Sequence, residues 1–294
     1  MKLVMRNRRL FHAGLWCRRA GWLTSAISLL CAIALFLSWH QDEVVLRQEA
    51  MAITENLNTD SARIHAVNNW VYHNKGFASN DRYFILPALG PTPIQVMERG
   101  GDCSDKSRLV AAMLNSIGIR AGLVMISPCL DCGFIHTVVE AQYENRRMVV
   151  DPIWNIDYPT GDGGFLGVMD LAGTSRGRER IVELQHQRPA TDKIASIPEM
   201  DAMFDYAVAM NWKKNIVTQT AVFILRLNGY QPEFFFRPRL LEDPKLLLAI
   251  MLTIITIIAA IGGYLLEIGL RFVMMRIPRR MTCSNADKLG ATDG

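Results

Sequence analysis

The chain has 294 residues, half of them hydrophobic, and carries a net charge of +4 at pH 7. Its positive mean hydropathy is above that of an ordinary soluble enzyme, and its length is too short for two large domains. Most of the basic excess stands beside two apolar runs, so the charge gives no argument for nucleic acid binding.

The first apolar run, residues 21–39, is uncharged and matches the length of about 20 residues that a membrane helix needs. Basic residues precede it, as they precede both membrane anchors and signal peptides. A signal peptide is disfavoured because no small-residue cleavage site stands before Gln41 and because the run is longer than most signal cores. We therefore predict a cytoplasmic basic N-terminus over residues 1–20 and a transmembrane helix over residues 21–39.

The segment after this run is polar and helix-prone, which predicts a stalk over residues 41–60. A further helix is predicted over residues 60–73, because aliphatic side chains recur there with the spacing of one packed helix face. Trp70 is interpreted as a core residue of this helix. His65 and His73 lie among polar residues, so we interpret both as surface side chains and not as catalytic bases.

Cys103 stands at the start of the next predicted helix. Asp102 or Ser104 can cap that helix, apolar residues recur on one face over residues 109–117, and Gly118 follows as a C-terminal cap. A cysteine at a helix start lies among unpaired N–H groups at the positive end of the helix dipole, which lowers the pKa of its thiol. The alternative is a small, inert core residue.

The residues just upstream of Cys103 bear on how a substrate could approach it. A Pro- and Gly-rich loop over residues 87–93 leads into a short helical turn that contains Gln95. We interpret Gln95 as a surface residue, with an oxyanion donor as the alternative. Gly100 and Gly101 keep side-chain bulk away from the thiol, so that a substrate backbone could come close.

Three strands are predicted after the helix, and the last two are joined by a turn at Glu144-Asn145. Their predicted ranges are residues 121–127, 134–143 and 147–150.

The last two strands carry the partners that Cys103 would need. His136 lies on the second strand and Asp151 directly follows the third, so a hairpin places Asp151 diagonally across from His136. Cys103, His136 and Asp151 then form a catalytic triad by their roles. Cys103 attacks an acyl carbon, His136 takes the thiol proton and later protonates the leaving group, and Asp151 holds the imidazole tautomer.

At these residues the chain resembles the transglutaminase-like superfamily, a branch of the papain-like cysteine fold. The resemblance covers about residues 60–155 and departs from the family at Val138, where an aromatic residue is frequent. It implies an α+β fold in which the nucleophile helix packs on an antiparallel sheet, here between two transmembrane helices. The matching pieces are Gly101-Asp102-Cys103, the helix exit from Ser116 to Ala121, His136 to Glu140, and Val150-Asp151-Pro152.

The resemblance implies a bacterial membrane-anchored cysteine enzyme that acts on amide or peptide bonds through a thioester. We expect hydrolysis, as a peptidase or amidase, because the chain lacks the large extra domains of animal cross-linking enzymes. The expected partners are a peptide or protein substrate and the lipid bilayer, with no cofactor and no metal. The backbone N–H of Cys103 is the one oxyanion donor that we name. Two alternatives stay open: a cell-wall endopeptidase, and a non-catalytic scaffold or assembly factor for export of a surface polymer.

Two further cysteines, Cys129 and Cys132, stand in the loop before the His136 strand. On an oxidising side of the membrane they are expected to form a local disulfide that braces this loop. A metal site is the weaker interpretation, because four ligands are usual and only these two cysteines are available. A redox motif would require a helix start after the first cysteine, where a strand is predicted.

Beyond Asp151, the glycine-rich segment at residues 161–167 either lines the substrate cleft or only connects two elements. Residues 175–193 are charged and are expected to be solvated. Two helices are predicted over residues 200–212 and 216–227. Aromatic residues at 234–236 suit a membrane interface.

The second apolar run, residues 246–266, has basic residues after it, whereas the first run has them before it. The positive-inside rule therefore places both termini in the cytoplasm and residues 41–245 on the periplasmic side of a bacterial inner membrane. The predicted extracytoplasmic domain, residues 41–245, consists of the transglutaminase-like core and a helical extension. A cytoplasmic basic tail is predicted over residues 267–294.

Overall fold

The computed structural model divides the chain into two compact units, residues 36–247 and residues 1–35 with 248–294. The structure describes residues 2–78, 83–127, 136–172, 174–189, 191–192, 204, 206–208, 216–229 and 239–276. The helices are α1 (Lys2–Thr54), α2 (Asp60–Asn74), α3 (Pro93–Arg99), α4 (Cys103–Ser116), α5 (Val168–Leu171), α6 (Arg176–Gln187), α7 (Ile216–Leu227) and α8 (Pro244–Arg276). The strands are β1 (Ala121–Ser127), β2 (His136–Tyr143), β3 (Arg146–Asp151), β4 (Ile156–Asp157) and β5 (Tyr206–Val208).

The larger unit is an antiparallel sheet covered by helices, with the strand order β4-β3-β2-β1-β5. Helix α4, which begins at Cys103, packs on β1 and β2, and α2 packs against α4 and β3. The predicted α+β fold, with the Cys103 helix on an antiparallel sheet, is confirmed.

The alternation of side chains along the strands gives the sheet two apolar faces. On β2, Val139 and Ala141 belong to the cluster that α2 and α4 cover, whereas Val138 belongs to a second cluster. That second cluster contains side chains from β4, α5, α6 and Phe204. Because both faces are buried, apolar residues stand side by side in β1, as in Leu123-Val124-Met125-Ile126.

The end of α1 is part of the domain core. Leu46 and Ala50 are fully buried in the cluster under α4, and Ile53 packs against it. The segment predicted as a stalk is therefore helical to Thr54, as expected, but one of its faces is covered by the domain. Leu46, Ala50 and Ile53 are spaced four and then three residues apart, which is enough to form a narrow packed stripe.

Two predictions about the C-terminal half were wrong. Residues 206–208 were predicted to be helical but form β5, whose Tyr206 pairs with Ser127 at the edge of β1. The unpaired backbone groups of an edge strand favour such pairing, which outweighs local helix propensity. The charged segment at residues 175–193, predicted to be solvated, contains α6, and α6 buries Ile181 and Leu184 in the second cluster.

The glycine-rich segment at residues 161–167 packs on the sheet. Val149 donates its N–H to Leu166 O at 2.9 Å, and Leu166 donates to Tyr158 O at 2.8 Å. The Leu166 side chain is buried in the second cluster. Between the two interpretations of this segment, these contacts favour a connection held against β3.

The smaller unit pairs the N-terminal part of α1 with most of α8. Gly21 lies close to Gly263 and the carbonyl of Ala259, and Ser25 Oγ donates to Thr256 O at 3.2 Å. Small residues allow this close approach of two helices, as they do inside membranes. Two helical segments, Gly14–Thr54 and Pro244–Phe272, are long and apolar enough to cross a membrane.

The turn before Cys103 depends on glycine for a reason other than substrate access. Gly100 has φ +79°, and a Cβ there would stand 2.3 Å from Gly76 O. Gly101 donates its N–H to the same carbonyl at 3.2 Å. The space beside Gly100 is therefore filled by the chain's own backbone, and the expectation that this glycine leaves room for a substrate was wrong.

Replacing Gly100 with alanine should lower the free energy of unfolding by about 3 kcal/mol, because the new Cβ meets a backbone carbonyl that cannot move aside. Gly118 provides the matched control, since its φ is +88° and open space surrounds its Cβ position. Gly118→Ala should cost only the left-handed strain of about 1 kcal/mol. Thermal unfolding of both full-length variants in detergent measures the difference, and equal losses would contradict the role given to the Gly76 carbonyl.

Candidate active site

Cys103 is the first residue of α4, partly exposed and not in a disulfide. Asp102 is the N-cap, and its Oδ1 accepts a hydrogen bond from the N–H of Asp105 at 3.0 Å. The N–H of Cys103 is one of the first four of the helix, which have no partner within an α-helix. The sulfur therefore lies beside a backbone donor at the positive end of the helix.

His136 and Asp151 form a buried pair close to this helix start. His136 Nε2 lies 2.6 Å from Asp151 Oδ2, and the side chains are 3% and 0% exposed. The pairing of Val139 with Val150 sets the register that places Asp151 diagonally opposite His136. The arrangement agrees with the diagonal placement expected from the hairpin.

The second carboxylate oxygen of Asp151 is held by the backbone that follows β3. Asp151 Oδ1 accepts hydrogen bonds from the N–H of Ile153 at 2.7 Å and of Trp154 at 3.4 Å. One oxygen thus fixes the carboxylate to the main chain, and the other binds the imidazole. This leaves the carboxylate little freedom to turn away from His136.

The environment of His136 favours its charged form. Burial lowers the pKa of the imidazole, but the charge of Asp151 and the hydrogen bond to it raise the pKa by more. A hydrogen bond and a charge interaction with Cys103 raise it further, to about 9. Since Asp151 occupies Nε2, Nδ1 is the ring atom that can contact the Cys103 sulfur. The ring therefore lies between the Cys103 sulfur and the Asp151 carboxylate, in surroundings that favour its protonated form.

Trp154 covers the imidazole, with its ring centroid 4.4 Å from that of His136 and the planes tilted by 42°. The sequence analysis assigned Trp154 no role. The only feature of the sequence that could have indicated this role is the position of Trp154 three residues after Asp151, because the turn at Asp151 brings Trp154 near His136.

A group of asparagines holds the turn that carries Asp151 and Trp154. Asn68 Nδ2 on α2 donates to Asp151 O at 3.3 Å and to Asn155 Oδ1 at 3.0 Å. Asn155 Nδ2 donates to Asn69 Oδ1 at 2.8 Å, and Asn155 itself has φ +51°. These contacts join residues more than 80 positions apart, which is why the sequence did not reveal them.

The rival residues weighed in the sequence analysis lie elsewhere. His65 is 51% exposed, and a hydrogen bond from its Nδ1 to Asp157 Oδ2 at 3.2 Å is the main cause that raises its pKa. His73 is exposed, with Nδ1 3.0 Å from Asn69 O. Gln95 forms a capping box with Thr92, accepting from the Thr92 N–H at 2.9 Å, so its side-chain oxygen serves the start of α3.

Two expectations about this site stay predictions. Cys129 and Cys132 lie outside the described residues, so the disulfide stays a prediction. Within the described ranges no cluster of three His, Cys, Asp or Glu side chains could hold a metal ion. The expectation of a site without metal or cofactor likewise stays a prediction.

Residues 47–152 match the family model of the transglutaminase-like superfamily. This stretch begins in the buried end of α1 and includes Cys103, His136 and Asp151. This segment is therefore similar to the transglutaminase-like superfamily, as its motifs indicated. The match begins earlier than the motifs alone suggested, because the end of α1 belongs to the core.

Two solved structures resemble parts of the chain. One is a "putative cysteine protease" from Cytophaga hutchinsonii, 18% identical, with a TM-score of 0.33, covering 39% of this chain and 38% of that one. The other is a "putative protease" from Parabacteroides distasonis, 13% identical, with a TM-score of 0.30, covering 48% of this chain and 30% of that one. This chain thus spans well under half the length of either, and these partial likenesses do not say what it does. No curated protein matches the chain.

Proposed function

We propose that this protein is a membrane-anchored cysteine hydrolase that cleaves amide or peptide bonds through a Cys103–His136–Asp151 triad. The observation that carries the proposal is the buried His136–Asp151 pair, 2.6 Å apart, beside a partly exposed cysteine at a helix start, whose interaction with the imidazole raises the pKa of His136. A carboxylate, an imidazole and a thiol in that order are the parts that nucleophilic acyl transfer requires.

In the proposed reaction the Cys103 sulfur attacks the carbonyl carbon, and the carbonyl oxygen becomes an oxyanion. The N–H of Cys103, unpaired within the helix, is the donor that we assign to this oxyanion. As the C–N bond breaks, protonated His136 gives its proton to the departing amine, which leaves a thioester on Cys103. Neutral His136 then takes a proton from water, whose oxygen attacks the thioester and releases the acid and the thiol.

Asp151 stabilises the imidazolium during this cycle, and Trp154 limits its contact with water. The charge of a buried imidazolium is costly unless a fixed counter-charge lies beside it. Asp151 provides that charge, held in place by its hydrogen bond from the Ile153 N–H. The arrangement lets His136 transfer a proton between the Cys103 sulfur and the leaving group without exchanging it with solvent.

We further propose that both apolar helices cross a bacterial inner membrane, with the termini in the cytoplasm and the domain in the periplasm. The support is the length and composition of the two segments, together with basic residues outside both runs. The substrate is then a peptide or protein on the outer side of the membrane.

The proposal predicts a covalent acyl intermediate on Cys103. Purified full-length protein in detergent should react with activated peptide esters in a burst and show an acyl mass on the peptide that contains Cys103. The adduct should be removed by hydroxylamine, as thioesters are. Cys103→Ala should reduce burst and turnover by about a thousandfold or more, because the nucleophile is gone.

The same assay identifies the acyl acceptor. Continued turnover in water alone supports hydrolysis, whereas turnover that requires an added amine points to acyl transfer. An acyl mass on another residue, or an undiminished burst in Cys103→Ala, would contradict the triad. Ser104→Ala, a neighbouring and partly exposed residue of α4, is the control for changes at the helix start.

A further inference from the structure

A short apolar loop, residues 83–86 (Tyr-Phe-Ile-Leu), is exposed on the larger unit. Ile85 is 69% exposed and Leu86 55%, and Tyr83 is also exposed. Adjacent large side chains left open to solvent in one loop are unusual in a soluble surface and mark an interaction site.

The backbone of this loop is strained at Ile85, and its apolar side chains are exposed. Ile85 has φ +63°, and Leu86 donates its N–H to Phe84 O at 2.7 Å, which closes a three-residue turn around it. A β-branched residue in the left-handed region costs free energy, and such strain persists where the surroundings or a function impose it. The turn thus presents Ile85 as the tip of the loop.

Residues close to this loop lie at the ends of the two apolar runs, where the proposed membrane helices meet the membrane surface. Lys245 stands immediately before the apolar run at residues 246–266, and its Nζ donates to Ser38 Oγ at 2.9 Å and Asp42 Oδ2 at 2.5 Å, at the end of the first run. The same Lys245 Nζ lies 5.9 Å from the ring centroid of Phe84. The two ends of the apolar runs and the root of the loop therefore meet at one place in the larger unit.

Aromatic and basic side chains also line this place. The Arg239 guanidinium lies 5.7 Å from the ring centroid of Trp39, the last residue of the first run. Trp, Lys and Arg at the ends of apolar helices are the residues that anchor such helices at the lipid headgroups. The apolar loop adjoins these residues through Phe84, whose ring lies beside Lys245.

We propose that residues 83–86 dock into the outer surface of the lipid bilayer, as a third membrane contact beside α1 and α8. The inference rests on the membrane anchoring proposed above, but not on the cysteine chemistry. Ile85, Leu86 and Tyr83 insert among the headgroups, where apolar area is removed from water.

The loop connects to α4 through the residues that follow it, because Phe84 donates its N–H to Gly90 O at 3.1 Å. Arg108 on α4 donates from a terminal guanidinium nitrogen to Pro91 O at 3.1 Å, and the guanidinium packs where a Cβ on Gly90 would stand. The same Arg108 contacts Asp105 at 3.3 Å, and Asp105 packs against Gly101 in the turn before the cysteine. A loop held at the bilayer is therefore linked through Arg108 to the start of the helix that carries Cys103.

Photo-crosslinking tests this contact in the full-length protein. A benzophenone amino acid replaces Ile85, and the protein is placed in nanodiscs of phosphatidylethanolamine and phosphatidylglycerol. Ile257, an exposed residue inside the apolar run of α8, is the positive control position. Met169, an exposed residue of α5, which packs against β3, is the negative control position. After illumination, mass spectrometry identifies lipid adducts on each peptide.

We expect lipid adducts at positions 257 and 85 and only background at position 169. Adducts at position 257 with background at position 85 would overturn the docking loop but leave the anchor intact. Background at both positions 257 and 85 would overturn the anchoring itself, and with it this inference. In native membranes, adducts at position 85 to another protein in place of lipid would show that the loop binds a protein partner, which also contradicts the proposal.

Discussion

Asp151→Asn should reduce turnover of the activated ester by about 10³–10⁴-fold, the loss typical of a triad whose carboxylate becomes an amide. The amide oxygen can still accept from the Ile153 N–H, so the turn should keep its shape. The amide has no charge, however, and cannot stabilise protonated His136. Steady-state kinetics with the full-length variant measures the loss.

The same variant should change the titration of His136. In the wild type, Asp151 and Cys103 hold the pKa of His136 at about 9 against the opposing effect of burial. Without the carboxylate charge, burial dominates among the remaining influences, and the pKa should fall toward or below its ordinary value of 6.5. The pKa of His136 can be measured by nuclear magnetic resonance from the carbon-bound protons of the imidazole ring as a function of pH. Unaltered turnover and an unaltered titration would contradict the role of Asp151.

The raised pKa of His136 also has a consequence for stability. A group whose pKa is higher in the folded state stabilises the fold fully below its unfolded value of 6.5 and loses that contribution as the pH rises through about 9. At about 1.4 kcal/mol for each pKa unit, the contribution is about 3 kcal/mol. The free energy of unfolding of the wild type, relative to that of Asp151→Asn, should therefore decrease as the pH rises from 6.5 to above 9. If Asp151→Asn does not fold at all, Asp151 has a structural role and the proposed third member of the triad is wrong.

His136→Ala should slow the alkylation of Cys103 by iodoacetamide at pH 7 by about thirtyfold. An ordinary thiol with a pKa of about 8.5 is only about 3% ionised at pH 7, and the thiolate is the reactive form. A positively charged imidazole stabilises the negative charge of a thiolate beside it. Cys103 is one of the groups that interact with His136, and alanine removes that interaction. Mass spectrometry of the peptide that contains Cys103 follows the rate separately from the other cysteines.

The control for this variant is His73→Ala, which removes an exposed imidazole on α2. It should leave the alkylation rate unchanged. Similar rates in the wild type and in both variants would indicate an ordinary thiol, which would favour the alternative of a non-catalytic scaffold.

The part of the fold that the sequence predicted well is the part with strong local signals. α4 begins at Cys103, as expected, because Asp102 is a good N-cap and the glycine turn precedes it. β1 has the predicted bounds, and β2 and β3 differ by no more than two residues, since the turn at Glu144-Asn145 separates two β-rich runs. The diagonal relation of His136 and Asp151 follows from that hairpin.

What the sequence did not predict depends on contacts between distant residues. Tyr206 lies in a segment with helical spacing, and only the open edge of β1 makes a strand favourable there. Trp154 and Asn68 support the His136–Asp151 pair from a turn and a helix that are far apart in the chain. Neither side chain stands in a recognisable motif. The burial of Leu46 was missed for the same reason, since its partners lie in α2 and α4.

The most direct test of the central claim is the rate of Cys103 alkylation in the full-length wild-type protein as a function of pH. The account predicts a rate at neutral pH well above that of an unassisted thiol, and a change in that rate as His136 loses its proton near pH 9. A rate that rises with a single midpoint near pH 8.5, as for an unassisted thiol, would contradict an activated cysteine at this site.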